Sequence, residues 1–215
     1  MSLGFCIIGA GRIGPIHARH VAASDKATLR HVVDIDVEAA GRLADEHGAK
    51  ATADPETAFA DPDVGAVIVC SSSATHAELT TRAVGAGKAV FCEKPFDLDI
   101  DRARACLREV TDAGAPVFMA FNRRFDPSHR AVYDAIDRGE VGEVEIVSIV
   151  SRDPYPPPVE YLERSPKALF RETTVHDFDL ARWLLGEEPV SLSAMASCLI
   201  EPDFRALDEV DTAVV

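Results

Sequence analysis

The stretch CIIGAGRIG, residues 6–14, sets three glycines in G-x-G-x-x-G spacing directly behind a short apolar run. Alone the pattern is weak, because glycines are common in turns. Its surroundings give it weight. LGFCIIG (3–9) reads as a buried strand and RIGPIHARHVAAS (12–24) has helical spacing, so the glycines fall at a strand-to-helix turn. At such a turn Gly9 permits the tight bend, Gly11 lets a pyrophosphate approach the backbone, and Gly14 lets helix and sheet pack closely. The helix N-terminus then offers free N–H groups and a partial positive charge to the phosphates. Pro15 suits the first helical turn, where its missing N–H costs little.

The same rhythm continues outward from this turn. TLRHVVD (28–34), VGAVIVC (64–70), KAVFC (88–92) and APVFMAF (115–121) are further apolar strands. Between them, VEAAGRLADEHG (37–48), THAELTTRAVGAG (75–87) and IDRARACLREVTDAG (100–114) are helical. Continuous apolar strands separated by helices predict a parallel sheet covered on both faces, hence an α/β, doubly wound Rossmann domain over residues 1–121. After Phe121 the rhythm changes. PSHRAVYDAIDRG (127–139) and TTVHDFDLARWLLG (173–186) read as helices, GEVEIVSIVSRD (142–153) as a strand with one exposed face, and PYPPP (154–158) as irregular. With strands near 190–198 and 209–215, residues 122–215 form an α+β domain with an open, mainly antiparallel sheet. The end on DEVDTAVV, an apolar strand with no turn behind it, suggests a sheet that continues in further residues.

Composition narrows the classes of function. A net charge of −14 argues against nucleic acid, since a phosphate backbone needs a cationic surface. No apolar run approaches the roughly 18 to 20 residues that span a bilayer, so no membrane partner is expected. The five cysteines lie within apolar runs and form no C-x-x-C, which points to buried thiols in the cytoplasm.

Candidate chemistry gathers in three places. Asp34 ends the second strand, twenty residues after Gly14, where a carboxylate accepts hydrogen bonds from ribose hydroxyls and repels a 2′-phosphate, favouring NAD over NADP. The alternative for Asp34 is a helix N-cap, a role that suits Asp36 better. Lys94, in AVFCEKPFDLD (89–99), is one of only five lysines beside seventeen arginines. It leaves a strand at the carboxyl edge where such sheets bind ligands, and a cation there can orient a substrate hydroxyl and favour its alkoxide. The bland reading of Lys94 is a surface salt bridge. His176 is the best proton acceptor, and Glu172, four residues earlier, shares its face of a helix. Their alternatives are a surface Glu–His pair, and a metal pair for which no further ligand is suitably spaced, so no metal is expected.

Together these pieces resemble the Gfo/Idh/MocA family of NAD(P)-dependent oxidoreductases. The matching stretches are GAGRIGPIHARH, THAELTTRAVGAGKAVFCEKPFD, FNRRFDPSHR, SRDPYPPPVEY and VHDFDLARWLLGEE, spread from residue 9 to about 188. The resemblance implies NAD-dependent oxidation of a secondary hydroxyl on a cyclitol or sugar, with inositol as first expectation because of the SRDP strand end and its proline loop. It assigns Lys94 and His176 to the substrate hydroxyl, with Glu172 assisting. Cofactor contacts are expected at Gly9, Gly11, Arg12, Ile13, Gly14 and Asp34, and again at Ser71, His76, Glu93 and Lys94. Substrate contacts are expected at Asn122 and Arg123 besides the catalytic residues, with Arg123 and Arg124 equally suited to inter-domain salt bridges. A dimer or tetramer is implied.

Three departures stand out. Glu172 replaces the family's aspartate, KALF (167–170) places Lys167 and Ala168 where a glycine pair is usual, and CSSSATH (70–76) lacks the common proline and asparagine before Thr75 and His76. Added side chains at 167–168 crowd the catalytic helix if the backbone there requires glycine. They motivate the rival reading, a dinucleotide-binding sensor that has lost its chemistry. The other rival is a dehydrogenase of the same family acting on a different polyol.

Overall fold

The apolar runs of the first half become strands of one parallel sheet. The computed structural model describes residues 2–215, and the chain divides into two units, the first reaching Ala120 and the second running from Phe121 to Val215. The first unit holds β1 (Leu3–Ile8), α1 (Gly14–Ala22), β2 (Ala27–Val33), α2 (Val37–His47), β3 (Lys50–Thr52) and α3 (Pro55–Phe59). It continues with β4 (Ala66–Val69), α4 (His76–Gly85), β5 (Ala89–Cys92), α5 (Ile100–Ala113) and β6 (Val117–Met119). Strand order is β3-β2-β1-β4-β5-β6, every neighbouring pair parallel. The chain therefore crosses over between β3 and β4, and the sheet switches direction between β1 and β4, where open α/β sheets carry their ligand crevice.

Alternation along the strands explains the uninterrupted apolar runs. Cys6 and Ile8 face one core with Val67, Val69, Leu79 and Val90, whereas Ile7 faces another with Ala18, Val32, Leu43 and Ile68. Both faces are dry, so neither register position admits a polar residue. Helix starts follow their caps. The side chains of Asp36, Asp54, Asp99 and Asp126 each accept N–H groups of the first turn that follows. α1 has Ile13 at its N-cap and no capping side chain, and α4 has no capping side chain either.

The core thiols are inert by burial. Burial pushes the Cys70 and Cys92 thiols up to about 12, and Cys6, with Cys70 beside it, is pushed higher still. All five cysteines are free and buried, four in the first unit and Cys198 in the second.

The second unit holds α6 (Pro127–Asp137), α7 (Val159–Arg164), a π-helical turn (Leu169–Thr174), α8 (Val175–Leu185), β7 (Met195–Ser197) and β8 (Thr212–Val214). α6 packs on α8 through Tyr133 and Trp183, stacked 4.2 Å apart. β7 and β8 form an antiparallel pair. Between them Asp211 accepts the backbone N–H groups of Leu199, Ile200 and Glu201 at 2.8–2.9 Å. Burial opposes its ionisation, but those three donors and the Thr212 hydroxyl outweigh it and hold the carboxyl well below the usual range.

Two expectations need correction. The stretch 142–153 forms no strand, since no described segment pairs with it, and Ile146 and Val150 stay 82% and 80% exposed. Residues 173–174 belong to the π-helical turn, so the stretch 173–186 is not one regular α-helix.

Candidate active site

The glycine turn sorts its three glycines by what surrounds them. Gly9 has φ +111°, and a Cβ built there lies 2.5 Å from the Cys70 carbonyl oxygen. A Cβ on Gly14 lies 2.1 Å from the Gly9 carbonyl oxygen. Both positions are closed by backbone, so only glycine fits. Gly11 differs, because a Cβ there meets nothing within 4 Å. The loop is thus packed at its two ends and open in the middle, beside the uncapped N-terminus of α1.

Asp34 closes the loop from the side. Its Oδ2 accepts the Ala10 N–H at 2.7 Å and its Oδ1 the Asp36 N–H at 2.9 Å. It does not cap α2. Asp36 does, accepting from Glu38 and Ala39. The carboxylate of Asp34 is thereby fixed at the tip of β2, half-buried and next to the glycine turn.

The E-K-P turn leaves the same edge of the sheet. Glu93 N–H donates to the Val69 carbonyl at 2.8 Å, continuing the β4–β5 ladder by one residue. Its side chain turns to α1, where Oε1 lies 2.8 Å from His17 Nε2, while Oε2 accepts the Lys94 N–H at 3.3 Å. Burial raises the Glu93 carboxyl, yet the His17 hydrogen bond and charge, with Lys94, bring it below the ordinary value. The Lys94–Pro95 peptide is cis. His76, only 1% exposed, donates from Nδ1 to the Pro95 carbonyl at 2.7 Å, and its Nε2 lies 3.2 Å from the Ser71 carbonyl. Both ring nitrogens face backbone carbonyls, and these contacts tie the turn to the start of α4. Ser71 itself is joined to Thr75 by a 2.7 Å hydroxyl contact. Arg12 and Ile13 lie in the glycine turn, Arg12 exposed and Ile13 half-buried.

In the second unit, Asn122 opens a 3-10 turn, Asn122–Phe125, whose arginines are held by the D-F-D of α8. Arg124 grips Asp179 through two hydrogen bonds of 2.8 and 2.6 Å, and Arg123 bonds Asp177 and the Ser151 hydroxyl. The expected inter-domain salt bridges are therefore corrected, because both arginines find their carboxylates inside their own unit. Asp179 is 4% exposed, and a carboxylate so deeply placed needs such a partner. Its role was not legible in the sequence, where D-F-D reads as a motif beside a histidine.

Glu172 sits in the π-helical turn and accepts the Ser165 hydroxyl at 2.9 Å; His176 lies in the first turn of α8. Just upstream, Lys167 adopts φ +62°, a left-handed conformation that glycine takes without cost. Lys167 is secured there by its N–H on the Glu209 carboxylate and its Nζ on Asp208. The Lys167 substitution thus keeps a glycine-like backbone through ties to residues 208–209. Ser165, His17 and Glu209 were missed by sequence reasoning, because their partners lie far off in the sequence or outside any motif.

Comparison with known proteins gives two family-model matches. Residues 3–121 match an oxidoreductase family with an NAD-binding Rossmann fold, and residues 129–215 match the Gfo/Idh/MocA C-terminal domain. The chain is 49% identical to inositol 2-dehydrogenase of Rhizobium meliloti, covering 100% of this chain and 64% of that protein. Its structure resembles a myo-inositol dehydrogenase of Corynebacterium glutamicum, with TM-score 0.93 and 37% identity over 99% of this chain and 63% of the other. It also resembles a scyllo-inositol dehydrogenase of Lactobacillus casei solved with NAD(H) and scyllo-inositol, with TM-score 0.82 and 25% identity, covering 99% and 65%. The chain thus spans about two thirds of the length of these relatives or slightly less.

Proposed function

The chain belongs to the Gfo/Idh/MocA oxidoreductase family, and we propose that it serves NAD-dependent oxidation of a secondary hydroxyl on a cyclitol, myo-inositol first. One observation carries the reading: the open glycine cradle and the Lys94 turn leave the same carboxyl edge of one parallel sheet.

The residues present fit the dinucleotide. Gly9 and Gly14 shape the loop, Gly11 with Arg12 and Ile13 borders its open side, and the uncapped α1 directs N–H groups at an anion. Asp34, anchored by Ala10 and Asp36, takes the ribose hydroxyls and its fixed charge disfavours a 2′-phosphate. NAD held there supplies the hydride acceptor. Ser71, Glu93 and Lys94 lie along the same edge.

For the substrate, the Lys94 ammonium stabilises the alkoxide that develops as the hydroxyl is oxidised. His176 accepts the hydroxyl proton, and Glu172, steadied by Ser165, orients the hydroxyl toward it. Asn122 and Arg123 border the substrate. The glycine-like backbone retained at Lys167 favours this reading over a sensor that has lost its chemistry. The free, buried thiols support a cytoplasmic setting, and a homo-oligomer completes the reading.

The test is reduction of NAD by the purified protein over a polyol panel led by myo-inositol. Lys94→Ala is expected to lower turnover on the order of 10²- to 10³-fold while NAD still binds. Unchanged turnover removes Lys94 from the chemistry. NAD binding without turnover on any polyol favours the sensor.

A further inference from the structure

We infer that Thr75 is a positioning residue that makes Ser71 a hydrogen-bond acceptor at the cofactor edge, so that Ser71 takes an O–H or N–H of NAD and not a phosphate oxygen. The consequence rests on the dinucleotide reading above; the polarity itself rests on how three consecutive contacts share their protons.

No proline stiffens the loop 71–75, and hydrogen bonds close it instead. The N–H and the hydroxyl of Thr75 both donate to the Ser72 carbonyl, at 2.9 and 2.8 Å. The hydroxyl oxygens of Ser71 and Thr75 lie 2.7 Å apart. A hydroxyl carries one proton and two lone pairs, and a carbonyl only accepts. The Thr75 proton is therefore committed to Ser72. One donor is left for the 2.7 Å contact, and it is the Ser71 hydroxyl. With its own proton directed at Thr75, Ser71 keeps lone pairs and has no donor for a ligand. Giving the proton to a second hydroxyl that itself donates also polarises the Ser71 oxygen, which makes it a better acceptor.

The position of Ser71 gives those lone pairs a use. Ser71 stands two residues past the end of β4, beside β1, where the sheet switches direction. Its backbone abuts the glycine turn, since a Cβ built on Gly9 lies 2.7 Å from the Ser71 nitrogen. The Cys70 thiol before it donates to the Gly9 carbonyl at 3.3 Å. Ser71 is half-buried, and its carbonyl faces the buried His76 ring. The loop is thus fixed against the cradle on one side and against α4 on the other. A dinucleotide in that crevice presents donors of two kinds, its ribose hydroxyls and its carboxamide N–H groups, whereas its phosphate oxygens only accept. A serine whose proton is already committed matches the donors.

The experiment is calorimetric titration of the full chain with NAD, with thermal unfolding alongside, for Ser71→Ala, Thr75→Val, Thr75→Ser and the double variant Ser71→Ala/Thr75→Val. Valine keeps the shape of threonine, and the Ser72 carbonyl keeps its backbone donor, so the loop holds. Ser71→Ala and Thr75→Val are each expected to weaken NAD roughly 3- to 10-fold with little change in melting temperature. Thr75→Ser keeps wild-type affinity, and Thr75→Val adds no loss once Ser71 is gone. The acetylpyridine analogue of NAD, in which a methyl replaces the amide nitrogen, tells the two donors apart. A loss in Ser71→Ala that persists with the analogue assigns a ribose hydroxyl, and a loss that vanishes assigns the carboxamide. Losses that add in the double variant overturn the inference, because Thr75 then acts through the shape of the loop. Tighter binding by Thr75→Val overturns it as well, since Ser71 then donates to NAD and Thr75 withholds its proton. Wild-type affinity in both single variants does the same. If the wild-type chain binds no NAD, the dinucleotide reading falls, and neutron diffraction decides the polarity alone. Deuterium on Ser71 directed at Thr75 supports the assignment, and deuterium on Thr75 directed at Ser71 overturns it.

Discussion

Replacing each glycine of the turn by alanine separates the two jobs the loop performs. At Gly14 the new Cβ starts 2.1 Å from the Gly9 carbonyl oxygen, against the 3.3–3.6 Å of an ordinary close C···O contact. Backbone must move by more than about 1 Å, and overpacking of this kind costs about 1–3 kcal/mol or more. Gly9→Ala adds a second penalty, since φ +111° lies where L residues rarely go and the Cβ is 2.5 Å from the Cys70 oxygen. Gly11→Ala meets no protein atom within 4 Å and has no positive φ, so the fold loses nothing. It gains about 0.4–1 kcal/mol from a stiffer unfolded chain. The methyl stands instead in the space a pyrophosphate needs. A clash worth about 1–3 kcal/mol there weakens NAD roughly 5- to 150-fold. Thermal unfolding reads the first effect, at about 2–4 °C per kcal/mol for a chain of this size; calorimetric titration with NAD reads the second. Gly9→Ala and Gly14→Ala are expected to lower the melting temperature, and Gly11→Ala to raise or keep it while losing affinity. A Gly11→Ala protein that folds normally and binds NAD as tightly as wild type would refute the cradle.

Two further outcomes test the second unit. Lys167→Gly relieves a left-handed lysine, a conformation costing about 1–2 kcal/mol, and gives up only an exposed ion pair worth about 0–1 kcal/mol. Lys167→Ala keeps the strain and loses the pair, so urea unfolding should rank glycine above alanine there; the reverse order removes the strain argument. Asp211→Asn should lower stability at neutral pH, because its N–H groups no longer meet an anion. Since the wild-type carboxyl is held low in the folded state, its stabilisation is present above the ordinary aspartate value and is lost only as the pH falls through the depressed one. The gap between the two proteins in pH-dependent unfolding should narrow only in strong acid, and a constant gap counts against the carboxylate.

The sheet was legible where burial on both faces writes one signal into every residue, as in β1, β4 and β5. β3 was invisible because Lys50–Thr52 are three exposed or half-exposed residues pairing only with β2. The stretch 142–153 failed for the opposite reason. Its alternation is that of a strand, but alternation names a preference and only a neighbouring chain supplies the hydrogen bonds. Spacing placed the glycines, Asp34 and Lys94 at the ends of their strands, as the structure does. It could not locate Ser165 beside Glu172, or Glu209 beneath Lys167 forty-two residues away. Nor could it show His76 as a backbone anchor, because that depends on which carbonyls the fold brings to its ring.

The free thiols give the protein built-in clocks. A buried thiol pushed up to about 12 is almost entirely protonated at neutral pH, and no reagent reaches it until the surrounding structure parts. Cys70 and Cys92 flank the glycine turn and the E-K-P turn, while Cys198 stands beside the Asp211 knot. Alkylation followed peptide by peptide therefore times the opening of each region separately, with no label added, and shows which parts of the molecule breathe first.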